Sequence, residues 1–305
     1  MHTVVLFYKY TFIDNPEKLM IEQKGLCQRL GLKGRVIIAA EGINGTLEGK
    51  SADVKKYCEV LKKDERFFDV DFKLSRGTGD AFPKLSVRVR DEIVSGHLGN
   101  MINPQKVSGE YITAEQLHAW IDSKREFYIV DMRNDFEQEV GHFEGSILPG
   151  LAVFADLPKV LGKLKSLKHK TIVTVCTGGV RCEKASGFLV KNGFTDVYQL
   201  YGGIVTYMEK YPNEDFAGAL YVFDGRIVMG FNMDDPKRKI VGKCAVCAIP
   251  SEHFVNCKDP WCNRHFICCE KCVDKNGKIL CPMGCISEGK ISRVFLRKGQ
   301  VDAPC

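Results

Sequence analysis

Five β-favouring residues, Thr171-Ile-Val-Thr-Val175, run into Cys176-Thr-Gly-Gly-Val-Arg181 and then into a helix-like stretch, Cys182-Glu-Lys-Ala-Ser-Gly-Phe-Leu-Val190. Strand, tight loop and helix in that order fit a parallel α/β sheet, whose working loops lie at the carboxyl ends of strands. The order also decides what the cysteine meets. At the mouth of a helix, backbone N–H groups point at its sulfur, and their dipoles favour thiolate over thiol. Gly178 and Gly179 let the loop close around the sulfur as an anion nest. Thr177 and Val180 complete the loop, and Arg181 adds a positive charge. The pattern suits a single nucleophilic sulfur on Cys176. Cys182 is either a resolving thiol for an oxidised or persulfidated Cys176 or a small buried residue.

More strands alternate with helices on both sides of this loop. Between residues 113 and 220, Thr113-Ala-Glu-Gln116 has the form of a capping box. Phe127–Asp131 and Val197–Leu200 are further strands. Asp131 ends its strand where its carboxylate can accept hydrogen bonds from Arg133. Glu183 and Lys184 read as a solvated helix face, and His142 as a hydrogen-bonded histidine of the core. Residues 1–100 read β-α-β-β-α-β, the split order of a ferredoxin-like sheet. Thr3–Phe12 is a strand, Asn15-Pro16 starts a helix that Gly31 stops, and Arg35–Ala40 is a strand. Asn44-Gly45 is the expected hairpin turn. Ser51 caps a helix to Leu61, and Asp69–Leu74 and Leu85–Val89 complete the sheet. Such sheets are frequent in RNA-binding modules. Residues 96–109 are polar and read as a linker.

From residue 234 to 305 the chain changes character. Nine of the fourteen cysteines lie between Cys244 and Cys285. In a chain without a signal-peptide pattern, that clustering points to metal rather than disulfides. Two zinc-ribbon-like sites fit the spacing. Cys244, Cys247, Cys269 and Cys272 make one. Cys257, Cys262, Cys281 and Cys285 make the other, with His265 or Cys268 as substitutes. A metal would supply folding energy that so short a segment otherwise lacks. A disulfide-stapled tail or a redox relay are the alternatives. Trp261 and Phe266, beside Lys258, Arg264 and Lys271, are candidates for stacking on bases or for the core.

Composition narrows the class. With 45% hydrophobic and 27% charged residues, the chain has the make-up of a globular protein. Its longest apolar runs are strand length, too short to span a bilayer, so a cytoplasmic protein without membrane contact is expected. Its net charge of +6 is concentrated after residue 236, where a polyanionic partner would find it.

The central third resembles the rhodanese family. Val130-Asp131-Met-Arg133 with Glu137, Gly141–Ile147 and Pro149 resembles its first signature, the Cys176–Arg181 loop its second, and Leu200–Ile204 its third. A loop of six positions is typical of the sulfur-handling members; the related phosphatases use seven. The whole chain resembles the bacterial tRNA uridine hydroxylases, through Ala39-Ala-Glu-Gly-Ile-Asn-Gly-Thr46 and Cys176–Ser186. That resemblance implies oxygen-dependent hydroxylation of carbon 5 of the wobble uridine, giving 5-hydroxyuridine. Molecular oxygen would be the co-substrate and the anticodon loop of tRNA the partner. No flavin or haem motif is visible. Cys176 would add to carbon 6 of a uracil extruded into a shallow pocket. Two other readings stay open: a sulfurtransferase carrying a Cys176 persulfide, and a zinc-containing RNA-binding adaptor whose rhodanese domain senses oxidants. The oligomeric state is left open.

Overall fold

The computed structural model describes residues 1–98, 102–259, 261–262, 264–273 and 279–282. The first unit is built from β1 (His2–Tyr10), α1 (Pro16–Arg29), β2 (Lys33–Ala39), β3 (Gly42–Lys50), α2 (Ser51–Leu61), β4 (Lys73–Gly77) and β5 (Leu85–Val89). Its strands stand in the order β4-β1-β3-β2-β5. The first four have the antiparallel split order expected, and β5 adds a parallel edge beside β2. Alternation along β1 explains its two faces. Val5 and Phe7 point into a core with Leu19 and Leu26 of α1 and Val54 and Tyr57 of α2. Leu6, Tyr8 and Tyr10 point the other way, toward the second unit.

Three local expectations for this unit are corrected. The β2–β3 turn is made by Ala40-Glu41, because Ala39 pairs with Gly42. Asn44 and Gly45 are strand residues: the Asn44 amide donates to Ile93 O at 2.9 Å, and the Phe7 ring lies against Gly45. Ser51 does not cap α2. It occupies the first helical position, and its hydroxyl donates to Met1 O at 3.1 Å. Finally, the fourth strand begins at Lys73, four residues later than expected.

The second unit carries a four-stranded parallel sheet in the order β6 (Glu110–Ile112), β10 (Asp196–Leu200), β9 (Thr171–Val175), β7 (Tyr128–Asp131). Around it lie α3 (Ala114–Asp122), α4 (Asp135–Gln138), α5 (Leu157–Val160), α6 (Val180–Lys191) and α7 (Gly203–Lys210). The capping box at Thr113 is formed with Gln116. One sheet face packs Val130, Ile172 and Val197 against Phe188 and Leu189 of α6; the other packs Val173, Val175 and Leu200 against Ile204 and Met208 of α7. The supposed linker is part of the first of these cores. Its Leu98 and Ile102 are buried there, beside Ile93 and Val94 from just before it.

A short antiparallel pair, β8 (Gly141–Phe143) with β11 (Phe216–Gly218), leads to β12 (Leu220–Tyr221) and β13 (Val228–Met229). The cysteine-rich end holds the hairpin β14 (Phe254–Asn256) and β15 (His265–Ile267). Among the described residues no helix is long and apolar enough to cross a membrane.

Candidate active site and cysteine cluster

Cys176 directly follows β9, and α6 starts three residues beyond Thr177. Gly179 precedes the helix with φ +103, and a Cβ there would lie 2.7 Å from the Tyr8 hydroxyl. Only glycine meets both conditions. The loop is also held from behind. Ile204 N donates to Cys176 O at 2.9 Å and Val205 N to Thr177 O at 3.0 Å. Gly203 allows that approach, since a Cβ on it would lie 2.7 Å from Cys176 O.

The sulfur accepts a hydrogen bond from Gly179 N at 3.2 Å. Burial alone would raise its pKa. The Cys182 thiol, the Arg181 charge, and the amides of Cys182 and Arg181 outweigh burial and lower the pKa to about 6. For Cys182 the balance is reversed. Burial and its bond to Cys176 push that thiol well above its ordinary value. One sulfur is therefore ionised at neutral pH and its neighbour is the donor that holds it so.

Arg181 does not face open space. Its guanidinium forks onto Glu137, with Nη2 2.8 Å from Oε2, and Nη2 also donates to Thr177 Oγ1 at 3.1 Å. Burial would lower the Arg181 pKa, but Glu137 holds it well above the ordinary arginine value. Asn134 N donates to the same carboxylate at 2.9 Å. A second buried pair lies alongside. Arg133 donates through Nε and its backbone N–H to Asp131 Oδ1, both at 3.0 Å, and to Gly141 O at 2.7 Å. Asp131 and Arg133 thus tie β7 to β8 behind the loop.

The space beside the sulfur is narrower than the shallow pocket expected. Cys176 has no solvent exposure. It borders a partly open cavity of about 70 Å³, room for a few water molecules. Leu6, Tyr8 and Lys73 of the first unit form one wall; Val222, Phe223 and Arg226 form another. The first unit is fastened over the loop by hydrogen bonds. Tyr8 donates to Glu183 at 3.0 Å and Tyr10 to Val180 O at 3.2 Å. Lys184 corrects the expectation of a solvated face most sharply. It is 0% exposed and sits 2.9 Å from both Glu41 and Glu92. Glu183 is buried too, and accepts from Tyr111 at 2.7 Å and Gln199 at 3.2 Å.

In the tail, Cys244, Cys247, Cys269 and Cys272 converge, with all four sulfurs within 4.8 Å of one another. Cys247 and Cys269 stand 3.6 Å apart, close to the roughly 3.8 Å between sulfurs of a tetrahedral Zn²⁺ site. The donor set fits such an ion. Cys257, Cys262 and Cys281 form a second group; Cys285 lies outside the described residues. The proposed substitutes are elsewhere. Cys268 donates to Cys269 O. His265 stacks on Phe254 at 4.7 Å and meets Asn256 Oδ1 at 2.8 Å; burial lowers its pKa to about 4. Phe266 is core, and Trp261 is exposed.

Residues 2–93 match the family described as UPF0176 acylphosphatase like domain, residues 113–210 the rhodanese-like domain, and residues 217–286 the family described as rhodanase C-terminal. A tRNA uridine(34) hydroxylase of Cytophaga hutchinsonii is 41% identical, over 90% of this chain and 86% of that one. Its counterpart in Bacillus licheniformis is 42% identical, over 88% and 84%. The protein of that name in Staphylococcus carnosus is 39% identical, over 90% of each chain. The chain belongs to the tRNA uridine(34) hydroxylase family. In this member of the tRNA uridine(34) hydroxylase family, sequence reasoning placed the loop and the cysteine tetrad but missed the groups that enclose the loop. Glu137 stood only as part of a signature. Glu41 stood only within the stretch that carried the resemblance. Tyr8, Glu92 and Phe223 carried no local signal, because their role exists only once the units pack together.

Proposed function

We propose that this protein hydroxylates carbon 5 of the wobble uridine of tRNA, with molecular oxygen as co-substrate and Cys176 as the reacting side chain. The carrying observation is similarity over nine-tenths of the chain to proteins named for that reaction. The thiolate on Cys176 supplies the chemistry. Uracil is an electron-poor enone, so a thiolate can add to carbon 6 and make carbon 5 an enolate-like nucleophile. Loop amides and the Cys182 thiol hold the sulfur anionic until it adds and receive it again when it leaves. Uridine, O₂, two electrons and two protons give 5-hydroxyuridine and water, so an electron donor outside the chain completes the balance. A wobble base costs little to unstack, because it lies in a single-stranded loop. Because Cys176 is buried and the cavity is small, the wall of Leu6, Tyr8 and Lys73 must withdraw for a base to reach the sulfur. On this reading the protein works in the cytoplasm, and the tail tetrad holds one structural Zn²⁺.

The test is mass spectrometry of tRNA digests from cells with the wild-type gene, without it, and with Cys176→Ala. The added oxygen is expected only with the wild type. Full hydroxylation by Cys176→Ala overturns the role of the thiol. The small cavity favours one second reading of the intermediate: it has room for a terminal sulfur on Cys176, that is, a persulfide. Cyanide treatment releases thiocyanate if that species is present.

A further inference from the structure

A second cavity, of about 270 Å³, lies at the junction of the two units. Tyr8 and Lys73 line both this cleft and the sulfur's cavity, so the two are neighbours across a shared partition. Tyr111 and Tyr201 stand in the cleft, 54% and 46% exposed. Their rings meet edge to face with centroids 5.7 Å apart. Exposed tyrosines usually rotate; the Tyr111 ring is held, and the Tyr201 backbone is anchored beside it. The Tyr111 hydroxyl is tied to buried Glu183 at 2.7 Å, and Tyr201 N donates to Ile112 O at 2.9 Å. The result is a half-exposed aromatic corner with one ring fixed, the kind of surface on which single-stranded bases stack.

Charge decides which part of a nucleotide such a cleft takes. It contains Asp69, Asp71 and Glu183 against Lys9 and Lys73. Lys9 lies 2.6 Å from Asp69, and Lys73 3.0 Å from Asp71. With both ammonium groups matched and a carboxylate in excess, the cleft disfavours phosphate. Glu183 is buried and already accepts from Tyr8, Tyr111 and Gln199, but the half-exposed carboxylates of Asp69 and Asp71 offer acceptors that suit the N–H edge of a base. We propose that this cleft binds the nucleobase adjacent to the target uridine, stacked on Tyr201 and Tyr111. The inference rests on the tRNA reading above, and adds to it a site for the neighbouring nucleotide.

The probe is an anticodon stem–loop carrying 2-aminopurine at one position at a time in the loop. With the full-length protein, fluorescence is expected to be quenched when the label flanks the wobble position. Tyr201→Leu should abolish that quenching and weaken stem–loop binding roughly 5- to 150-fold, the effect of losing one stacked base. Tyr201→Phe keeps the ring and should restore both. Thermal melting of each variant shows whether the fold is intact. Quenching confined to the wobble position, or the same affinity in wild type and Tyr201→Leu, overturns the proposal. If wild-type protein adds no oxygen to tRNA yet Tyr201-dependent quenching persists, the hydroxylation reading falls and the cleft stands.

Discussion

The chain handles sulfur in two opposite ways. At the rhodanese loop two thiols are buried together, and the surroundings make them unequal. Cys176 is stabilised as an anion by the Cys182 thiol, Arg181 and two amides, while Cys182 stays protonated. At the tail four thiols converge on one point. Their mutual repulsion, once ionised, is relieved by a cation between them. In the first case the fold itself sets the charge. In the second, four donors are arranged as a metal ion would need.

Removing the metal should separate the two most strongly. Cys247→Ser or a tight chelator is expected to unfold the tail, because structural zinc supplies on the order of 10 kcal/mol to small modules. Zinc content and limited proteolysis after about residue 234 measure this. A tail that stays protease-resistant without metal breaks the contrast. Cys176→Ala should leave the fold in place and lower kcat on the order of 10⁶-fold, the scale seen when an enzyme nucleophile is deleted. Glu137→Gln comes next. It strips the buried Arg181 of its counter-charge and should cost about 3–5 kcal/mol of stability by urea titration. An unchanged midpoint would mean that Arg181 finds another partner.

Smaller effects sharpen the chemistry of the loop. With the Cys176 pKa lowered to about 6, its thiolate is the majority form above that pH and is lost as pH falls through it. Alkylation by a small reagent should therefore be level above about pH 7 and drop tenfold per unit well below 6. Cys182→Ala removes the thiol donor, so the midpoint should move upward. A midpoint left in place would show that the amides and Arg181 suffice.

Local signals around the loop, the capping box and the cysteine knuckles were reliable. Strand β9, the glycine loop and helix α6 are adjacent in the chain, and the Thr113 capping box closes within three residues. The Cys244–Cys247 and Cys269–Cys272 knuckles are likewise local, which is why their convergence was readable. Much of what failed was decided by partners distant in the chain. Lys184 sits on a stretch that reads as a solvated face because nothing in its neighbourhood announces Glu41 and Glu92. Asn44-Gly45 has the residues of a tight turn, yet Phe7 and Ile93 draw it into a strand. The same junction closes the cavity over Cys176, a fact no reading of the loop by itself contains.

Lys184 has a practical consequence for anyone dissecting the molecule. Both of its counter-ions, Glu41 and Glu92, come from the amino-terminal side of residue 98. An excised rhodanese fragment would keep the ammonium and forfeit its two carboxylates, and would bare the floor on which Ile93 and Val94 rest. Shortened chains that begin near residue 113 would then report the behaviour of a damaged helix α6, and a silent fragment would say nothing about the intact enzyme.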